Sequence, residues 1–293
     1  MALLQPLKFT NSGHIFIDKN DDPFVIALML DLISYGEEFC LALDFSPPFI
    51  ARLMAAGFLV MSIVPEDDPP GDVVLLPEMH LERSVLFFDE LHERRSVKRL
   101  IPRYELRVDG LGPETGPGTD PGTGPYRGPG RGDDGPFLFD TVLERCAQVH
   151  GEDWLTPALR RGFHALRKAQ TPDSGPRMAA FGLYREGRLV AGEFGVAAGK
   201  VYTSYSGYKD ENSAGTVQLI LTGRLLRDWG FAFWDLGMVL PYKEELGARI
   251  LGRREFLDRF LEAQPGGRRR FVGPKHPPAA AGNGGETSRL NPL

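Results

Sequence analysis

Between Arg185 and Arg259 the spacing of apolar and polar positions changes period, and each change marks a new element. REGRLVAGEFGVAAGKVYTSYSG (185–207) alternates apolar and small residues around turn signals at Glu186-Gly187 and Ala198-Gly199. That pattern predicts two or three antiparallel strands. Val217, Ile220, Leu221, Leu225 and Trp229 then recur at three-to-four spacing, which predicts a helix capped by Asn212 or Ser213 and stopped by Gly230. FAFWDLG (231–237) follows as a buried strand, apolar on both faces through Phe231, Phe233 and Trp234. Asp235 stands at its carboxyl end, where ligands of open α/β sheets tend to bind, and its alternative role is to cap the next turn.

Upstream, the apolar runs HIFI (14–17) and FVIALMLDLI (24–33) flank a turn-like KNDDP. DFSPP (44–48) before FIARLMAAGF reads as a helix entry with early prolines, ended by Gly57. The acidic, proline-rich PEDDPPGD (65–72) predicts a linker that closes a small amino-terminal domain, 1–72. A main domain, 73–263, opens with the strand VLFF. After Leu91 comes a basic helical segment with Arg94, Arg95, Lys98 and Arg99 within two turns. Such a density suits phosphate, although a cluster of this kind is also an ordinary solvated face. The Gly/Pro tract 110–136 and the tail 264–293 have little to bury and are expected to be disordered. Two helices, FDTVLERCAQVHG and LTPALRRGFHALRKA, lie between the tract and the strands, with Trp154 expected as a core anchor.

Composition narrows the classes. With 293 residues and 42% hydrophobic content the chain can bury a large core, and a net charge of -5 argues against a generally polybasic nucleic-acid binder. Cys40 and Cys146 share no metal or CxxC spacing, and none of the histidines pair at ligand spacing, so no metal site or cofactor is expected. No GxSxG elbow supports a covalent nucleophile. No apolar run reaches about 20 residues and the amino terminus lacks a full signal core, so a cytoplasmic monomer without membrane contact is expected.

The strand, helix, strand order of 185–235 is that of an N-acetyltransferase-type (GNAT) α/β (α+β) fold. The start of its helix reads ENSAGTVQL, without the Gly-rich phosphate cradle of an acetyl-CoA enzyme. Four blocks in order, DFSPPFIARLMAAGF, RSVLFFDELHERRSVKR, EDWLTPALRRGFHALRKA and the run from GRLVAGEFGVAAG through WD and LGA to RREFL, resemble the leucyl/phenylalanyl-tRNA–protein transferases. The likeness covers about 40–261 apart from the Gly/Pro tract. It implies a small amino-terminal domain joined to a GNAT-type domain. It also implies transfer of an amino acid from aminoacyl-tRNA, the co-substrate, to an acceptor protein's amino terminus, as in N-end rule degradation. Asp235 and Ser204 are the implied catalytic positions, Glu193, Phe194, Tyr205 and Leu221 the implied aminoacyl and adenosine pocket, and Arg94, Arg95, Lys98 and Arg99 the implied tRNA contacts. The chain departs from the family's pattern at several points: its tryptophan-rich elements are FLVMS and LPEMHLER here, the acid of its G-E-S motif is Ser204, a glutamine is Gly237, and an apolar pocket residue is Glu193. If Glu193 faces the pocket, a polar or cationic donor is implied; if it faces outward or pairs with a basic residue, the pocket stays apolar. Two other functions fit the same residues: a different GNAT-type acyltransferase, and a tRNA- or peptide-binding homologue without chemistry.

Overall fold

The computed structural model describes residues 6–65, 73–112, 126–127, 137–171 and 175–266. Residues 66–72 of the expected linker 65–72, most of the Gly/Pro tract and nearly all of the tail lie outside these residues. In the amino-terminal part, β1 (Lys8–Phe9), β2 (Ile15–Phe16), α1 (Pro23–Leu32), α2 (Pro47–Ala55), β3 (Leu59–Ile63) and β4 (Val74–Glu78) follow one another. Prolines at the first turn of α2 have no amide to leave unpaired, and Phe49, Ile50, Leu53 and Met54 form its buried stripe. Gly57, at φ 88°, ends the helix in the left-handed region as the sequence predicts.

After β5 (Glu82–Leu86), the basic segment forms only one turn, α3 (Arg95–Lys98), rather than the longer helix its spacing predicts. Val97 is its one buried residue, too little apolar surface to hold a longer helix. Then come β6 (Glu105–Asp109), β7 (Tyr126–Arg127), α4 (Leu138–His150), α5 (Pro157–Ala169), β8 (Arg177–Arg185), β9 (Arg188–Ala198), β10 (Val201–Lys209), α6 (Ala214–Asp228), β11 (Phe233–Asp235), α7 (Pro241–Glu245), β12 (Arg249–Gly252) and α8 (Arg253–Glu262). The two-residue turn of β8 and β9 has Glu186 and Gly187 both at positive φ, 52° and 78°, matching the twist a hairpin requires.

Among the described residues, eight strands form one mixed sheet in the order β12-β5-β11-β10-β9-β8-β6-β7. The fold is therefore α/β with a large mixed sheet. β11 pairs parallel to β10 from Val201↔Phe233 to Thr203↔Asp235, and the pairing stops there. Alternation along β11 sends Phe233 to one face and Trp234 to the other. On the first face Phe139, Phe163, Phe194 and Phe256 join the amino-terminal Ile15, Ile50 and Val60 in a single core, with Trp154 packed against it. On the second, Val217, Ile220, Leu221 and Leu225 of α6 cover Phe181, Tyr202 and Trp234. The expected side-chain cap of α6 is not formed, because Ser213 is left-handed at φ 67° whereas a capping hydroxyl needs an extended residue.

One buried ion pair crosses these layers. Arg83 and Asp235 are both 0% exposed and meet at 2.5 Å. Arg83 Nη2 also donates to Gly57 O (3.2 Å) and Glu78 O (3.3 Å), and its guanidinium lies 4.5 Å over the Phe256 ring. Removing one partner leaves an uncompensated buried charge, which typically costs 3–5 kcal/mol. Arg83→Met should lower the unfolding free energy by about that much in urea titrations. A loss below about 1 kcal/mol, the range of exposed pairs, would show that the pair does not hold the layers together.

Candidate functional site

β11 ends at Asp235, opposite Thr203, while β10 runs on to Lys209, and the edge left open there is covered by the start of α6, Leu236 and α7. It forms a cavity of about 600 Å³. Its mouth is marked by the exposed His150, Gly207, Lys209 and Thr216, and its depth by Glu193, Gln218, Leu236 and Lys243, each at most 6% exposed. Open parallel edges of this kind are where α/β folds hold ligands.

A bulge shapes the floor. The register of β9 with β10 shifts between Ser204 and Ser206, so Tyr205 is the extra residue. The Tyr205 ring stacks on Phe194 (5.9 Å) and meets Phe163 edge-on (5.3 Å), while its hydroxyl accepts from Val60 N at 3.0 Å. Ser204 makes its contacts in the α6-side network: its hydroxyl accepts from Trp234 Nε1 (2.8 Å) and donates to Glu193 Oε2 (3.1 Å). Bulges commonly re-aim side chains in this way beside active sites.

Glu193 is 3% exposed, and its carboxyl is enclosed by the hydroxyls of Ser204 and Tyr202 and the amide of Gln218. Among the described residues it has no ion-pair partner, so of the two orientations open in the sequence the structure has the one facing the cavity. Burial pushes its carboxyl up to about 8, against the smaller opposing effects of Ser204, Gln218 and Tyr202. Lys243 lines the same cavity and donates to Leu236 O (2.5 Å) and Met238 O (2.8 Å). Burial lowers its ammonium to about 8, the attraction of Asp235 opposing. Two groups displaced in opposite senses toward neutral pH in one cavity are the arrangement expected of a working site.

Other sequence assignments are corrected by this geometry. Asp235 does not line the cavity: Oδ2 accepts from Arg83 and from Thr203 Oγ1 (3.0 Å), and Oδ1 from Gly237 N (3.0 Å), so its carboxylate is fully engaged and closes the next turn. The Ser204 hydroxyl is engaged on both sides. Phe194 and Leu221 are fully buried in opposite cores and do not reach the cavity, because each lies on the inward stripe of its element. The ring of Tyr205 is held between Phe194 and Phe163 instead of standing free for a base. Lys243, Gln218 and Tyr242 were not singled out by sequence reasoning. Gln218 had one signal, a polar residue next to the apolar stripe of α6; Lys243 and Tyr242 had none.

The four basic residues are exposed around α3. Arg94 pairs with Glu245 of α7 at 2.9 Å, and Lys98 with Glu93, which Arg224 of α6 also holds. No ion pair to Arg95 or Arg99 occurs among the described residues. The Arg94–Glu245 contact puts this segment beside α7, whose Tyr242 and Lys243 line the cavity.

Residues 137–261 match the family model of leucyl/phenylalanyl-tRNA protein transferase. A leucyl/phenylalanyl-tRNA–protein transferase of Thiobacillus denitrificans is 35% identical over 101 residues, covering 30% of this chain and 44% of that protein. One of Syntrophobacter fumaroxidans is 30% identical over 43% of this chain and 53% of its own length. One of Cereibacter sphaeroides is 27% identical over 75% and 86%. The chain spans about half the length of the first two relatives. Among solved structures, FemX aligns over 84% of this chain and 81% of that one at 10% identity, with a TM-score of 0.40.

The position of Glu193 sets a pH dependence of stability. Its folded value of about 8 exceeds the ordinary 4.5, so the native state binds this proton more tightly than the unfolded chain. The contribution is complete below about pH 4.5 and is lost as pH rises through about 8. Glu78, raised by burial to about 7, acts in the same direction. Glu193→Gln should therefore reduce, without abolishing, the fall of unfolding free energy across that window. Urea melts at a series of pH values check it, and a slope identical to the native protein's would assign the dependence elsewhere.

Proposed function

We propose that this chain, a divergent member of the leucyl/phenylalanyl-tRNA–protein transferase family over residues 137–261, transfers an amino acid from aminoacyl-tRNA to the amino terminus of an acceptor protein, the step that marks proteins in N-end rule degradation. The observation that carries this reading is the 2.9 Å pair of Arg94 with Glu245, which couples an exposed basic segment to the helix lining the cavity. A phosphate backbone held by Arg94, Arg95, Lys98 and Arg99 would lie next to the mouth, and the attached aminoacyl end would enter the cavity. The strand order around the cavity supports a GNAT-type scaffold, which also serves acyl transfer from other donors.

Aminolysis of the ester needs positioning and charge stabilisation rather than a covalent enzyme intermediate. The amine nitrogen bonds to the ester carbonyl carbon, the carbon–oxygen bond to the ribose breaks, and the amine's proton ends on the ribose hydroxyl. Lys243 has three donors, of which two go to Leu236 O and Met238 O. Its third is available to the oxyanion. Ser204, tied to Trp234 and Glu193, acts as a positioning residue. Asp235 acts through Arg83 and the Gly237 turn by fixing where β11 ends. The exposed Tyr242 ring offers a stacking surface for the terminal adenine in place of the enclosed Tyr205.

The test is transfer from a labelled aminoacyl-tRNA pool to peptides with different amino termini. Lys243→Met should lower the turnover rate by roughly 100-fold or more while tRNA binding is retained, the usual size of losing one oxyanion donor. Transfer at the native rate would remove Lys243 from the chemistry, and no transfer by the native protein from any charged tRNA would favour a binding homologue. Replacing Arg95 and Arg99, which have no ion pair among the described residues, by alanine should weaken tRNA binding and reduce the slope of log K against log salt by roughly one to two. An unchanged slope would return these residues to the solvated surface.

A further inference from the structure

We propose that the acceptor polypeptide binds by adding its first residues as a short strand to the open edge of β10, in the sheet position that β11 leaves after Asp235. The inference rests on the transferase reading above and names how the second substrate of the same site is held.

The backbone of β10 supplies the pairing groups. β11 pairs with β10 only as far as Thr203↔Asp235, whereas β9 follows β10 to Lys209↔Ala191. In an antiparallel pair, opposed residues alternate between those that exchange both hydrogen bonds and those that exchange none. Asp210 N donates to Val190 O at 2.8 Å, which places Asp210 in the bonded class, and with it Tyr208 and Ser206, two and four positions back. Gly207 and Lys209 fall between them. Their N–H and C=O groups therefore point away from β9, toward the line of β11. A side-chain contact agrees with this phase: Nε2 of the exposed His150 donates to Gly207 O at 2.8 Å. Gly207 and Lys209 are themselves exposed and line the cavity, and their amides have no backbone partner beyond the β9 ladder among the described residues. A sheet edge left unpaired in this way is a template for another extended chain.

The chemistry of the site selects the occupant and its direction. The acceptor reacts through its amino terminus, which has to pass the mouth and reach the depth where Leu236 and Lys243 lie. A chain with its amino group inward and its body outward runs from the Thr203 end of the edge toward Lys209. That is the direction of β10 itself. The added strand is therefore parallel to β10, as β11 is, and prolongs the line of β11. In a parallel ladder one residue of the added chain donates to Gly207 O and accepts from Lys209 N–H, and the residue two before it accepts from Gly207 N–H. The Gly207 carbonyl has two lone pairs, so His150 keeps its contact. The register break between Ser204 and Ser206 interrupts the edge further in, which limits the pairing to the first few acceptor residues. Tyr242, the stacking surface proposed for the donor, belongs to α7, a different wall of the cavity, and is left free.

The experiment measures transfer from a pool of charged tRNAs to an acceptor peptide whose amide nitrogens are methylated one at a time at its second to fifth residues. Each methyl group removes one donor and blocks one edge while every side chain stays as it is. The loss in kcat/KM should alternate along the peptide. It should be about tenfold at the methylated residues that face β10, two positions apart, and below about threefold at those between, the size of one hydrogen bond whose partner is left unsatisfied. Lys209→Pro deletes an outward N–H without touching the β9 ladder, a position where a strand tolerates proline. It should raise the KM for the peptide about tenfold relative to Lys209→Ala, the same hydrogen bond being lost from the other side. Equal tolerance of the methyl group at all four positions overturns the inference and leaves the transferase reading standing, because transfer still occurs. Equal loss at all four overturns it as well, since an enclosing tunnel rejects every methyl group whereas an edge rejects alternate ones. An alternating loss with the same KM in Lys209→Pro and Lys209→Ala overturns the assignment to β10. Should Lys209→Pro fail to fold, the methyl series on the native protein decides alone. No transfer to the unmodified peptide from any charged tRNA overturns both the inference and the transferase reading.

Discussion

The pair of Arg83 with Asp235 is the constraint on which the arrangement of this protein depends. Both are removed from water, an expensive state for two ions unless each lone pair and proton finds a partner. Groups drawn from different layers meet most of that demand: Thr203 on β10, the Gly237 amide after β11, and the carbonyls of Gly57 and Glu78 in the amino-terminal part, while Arg83 Nε has no hydrogen-bonding partner among the described residues. A second buried arginine, Arg253 at the start of α8, donates in the same manner to Tyr35 O, Glu37 O and Met79 O. Two guanidiniums therefore fasten the amino-terminal elements to the sheet through backbone carbonyls. Their planar, multiply donating shape suits this task in a way lysine would not.

The cavity is a consequence of the same constraint. Because Asp235 is held at the end of β11 and caps the turn at Gly237, β11 cannot follow β10 beyond Thr203, and the space between them opens. The bulge at Tyr205 then separates two functions on successive residues. Tyr205 turns into the aromatic core and bonds to Val60, while Ser204 joins the network that orients Glu193. A carboxylate contributed by β9 thus stands against Ser204, the position where the family resemblance places an acid.

Much of the fold was legible because periodicity reports burial. The turn at Glu186-Gly187, the α6 stripe and the apolar strand 233–235 were readable from spacing, since each has one dominant environment along its length. The site was less legible, because its roles depend on which side chains meet across the sheet. Asp235 read as a ligand-facing residue from its place at a strand end, and only the packing reveals Arg83, 152 positions away, as its partner. Arg83 itself was visible in the RSVL block without any sign that it would be buried. Phe194 and Leu221 carried the right chemistry for an apolar pocket, yet strand alternation and helical phase turn them into the two cores. Lys243 had no signal at all, as a lysine after a proline in a short helix is usually solvated.

On the proposed function, the cavity along the open edge of β10 receives the aminoacyl end of the donor, with the Trp234–Ser204–Glu193 chain at its floor. The indole N–H of Trp234 reports on that chain directly, because its hydrogen-bond acceptor is the serine that holds the carboxylate. Amide-linked aminoacyl-adenosine should be titrated while the three tryptophan indole resonances are followed by nuclear magnetic resonance. A saturable shift of the Trp234 resonance is expected, with those of Trp154 and Trp229 little changed. A Trp234 resonance that stays fixed while the compound binds would place the aminoacyl end elsewhere and contradict the account.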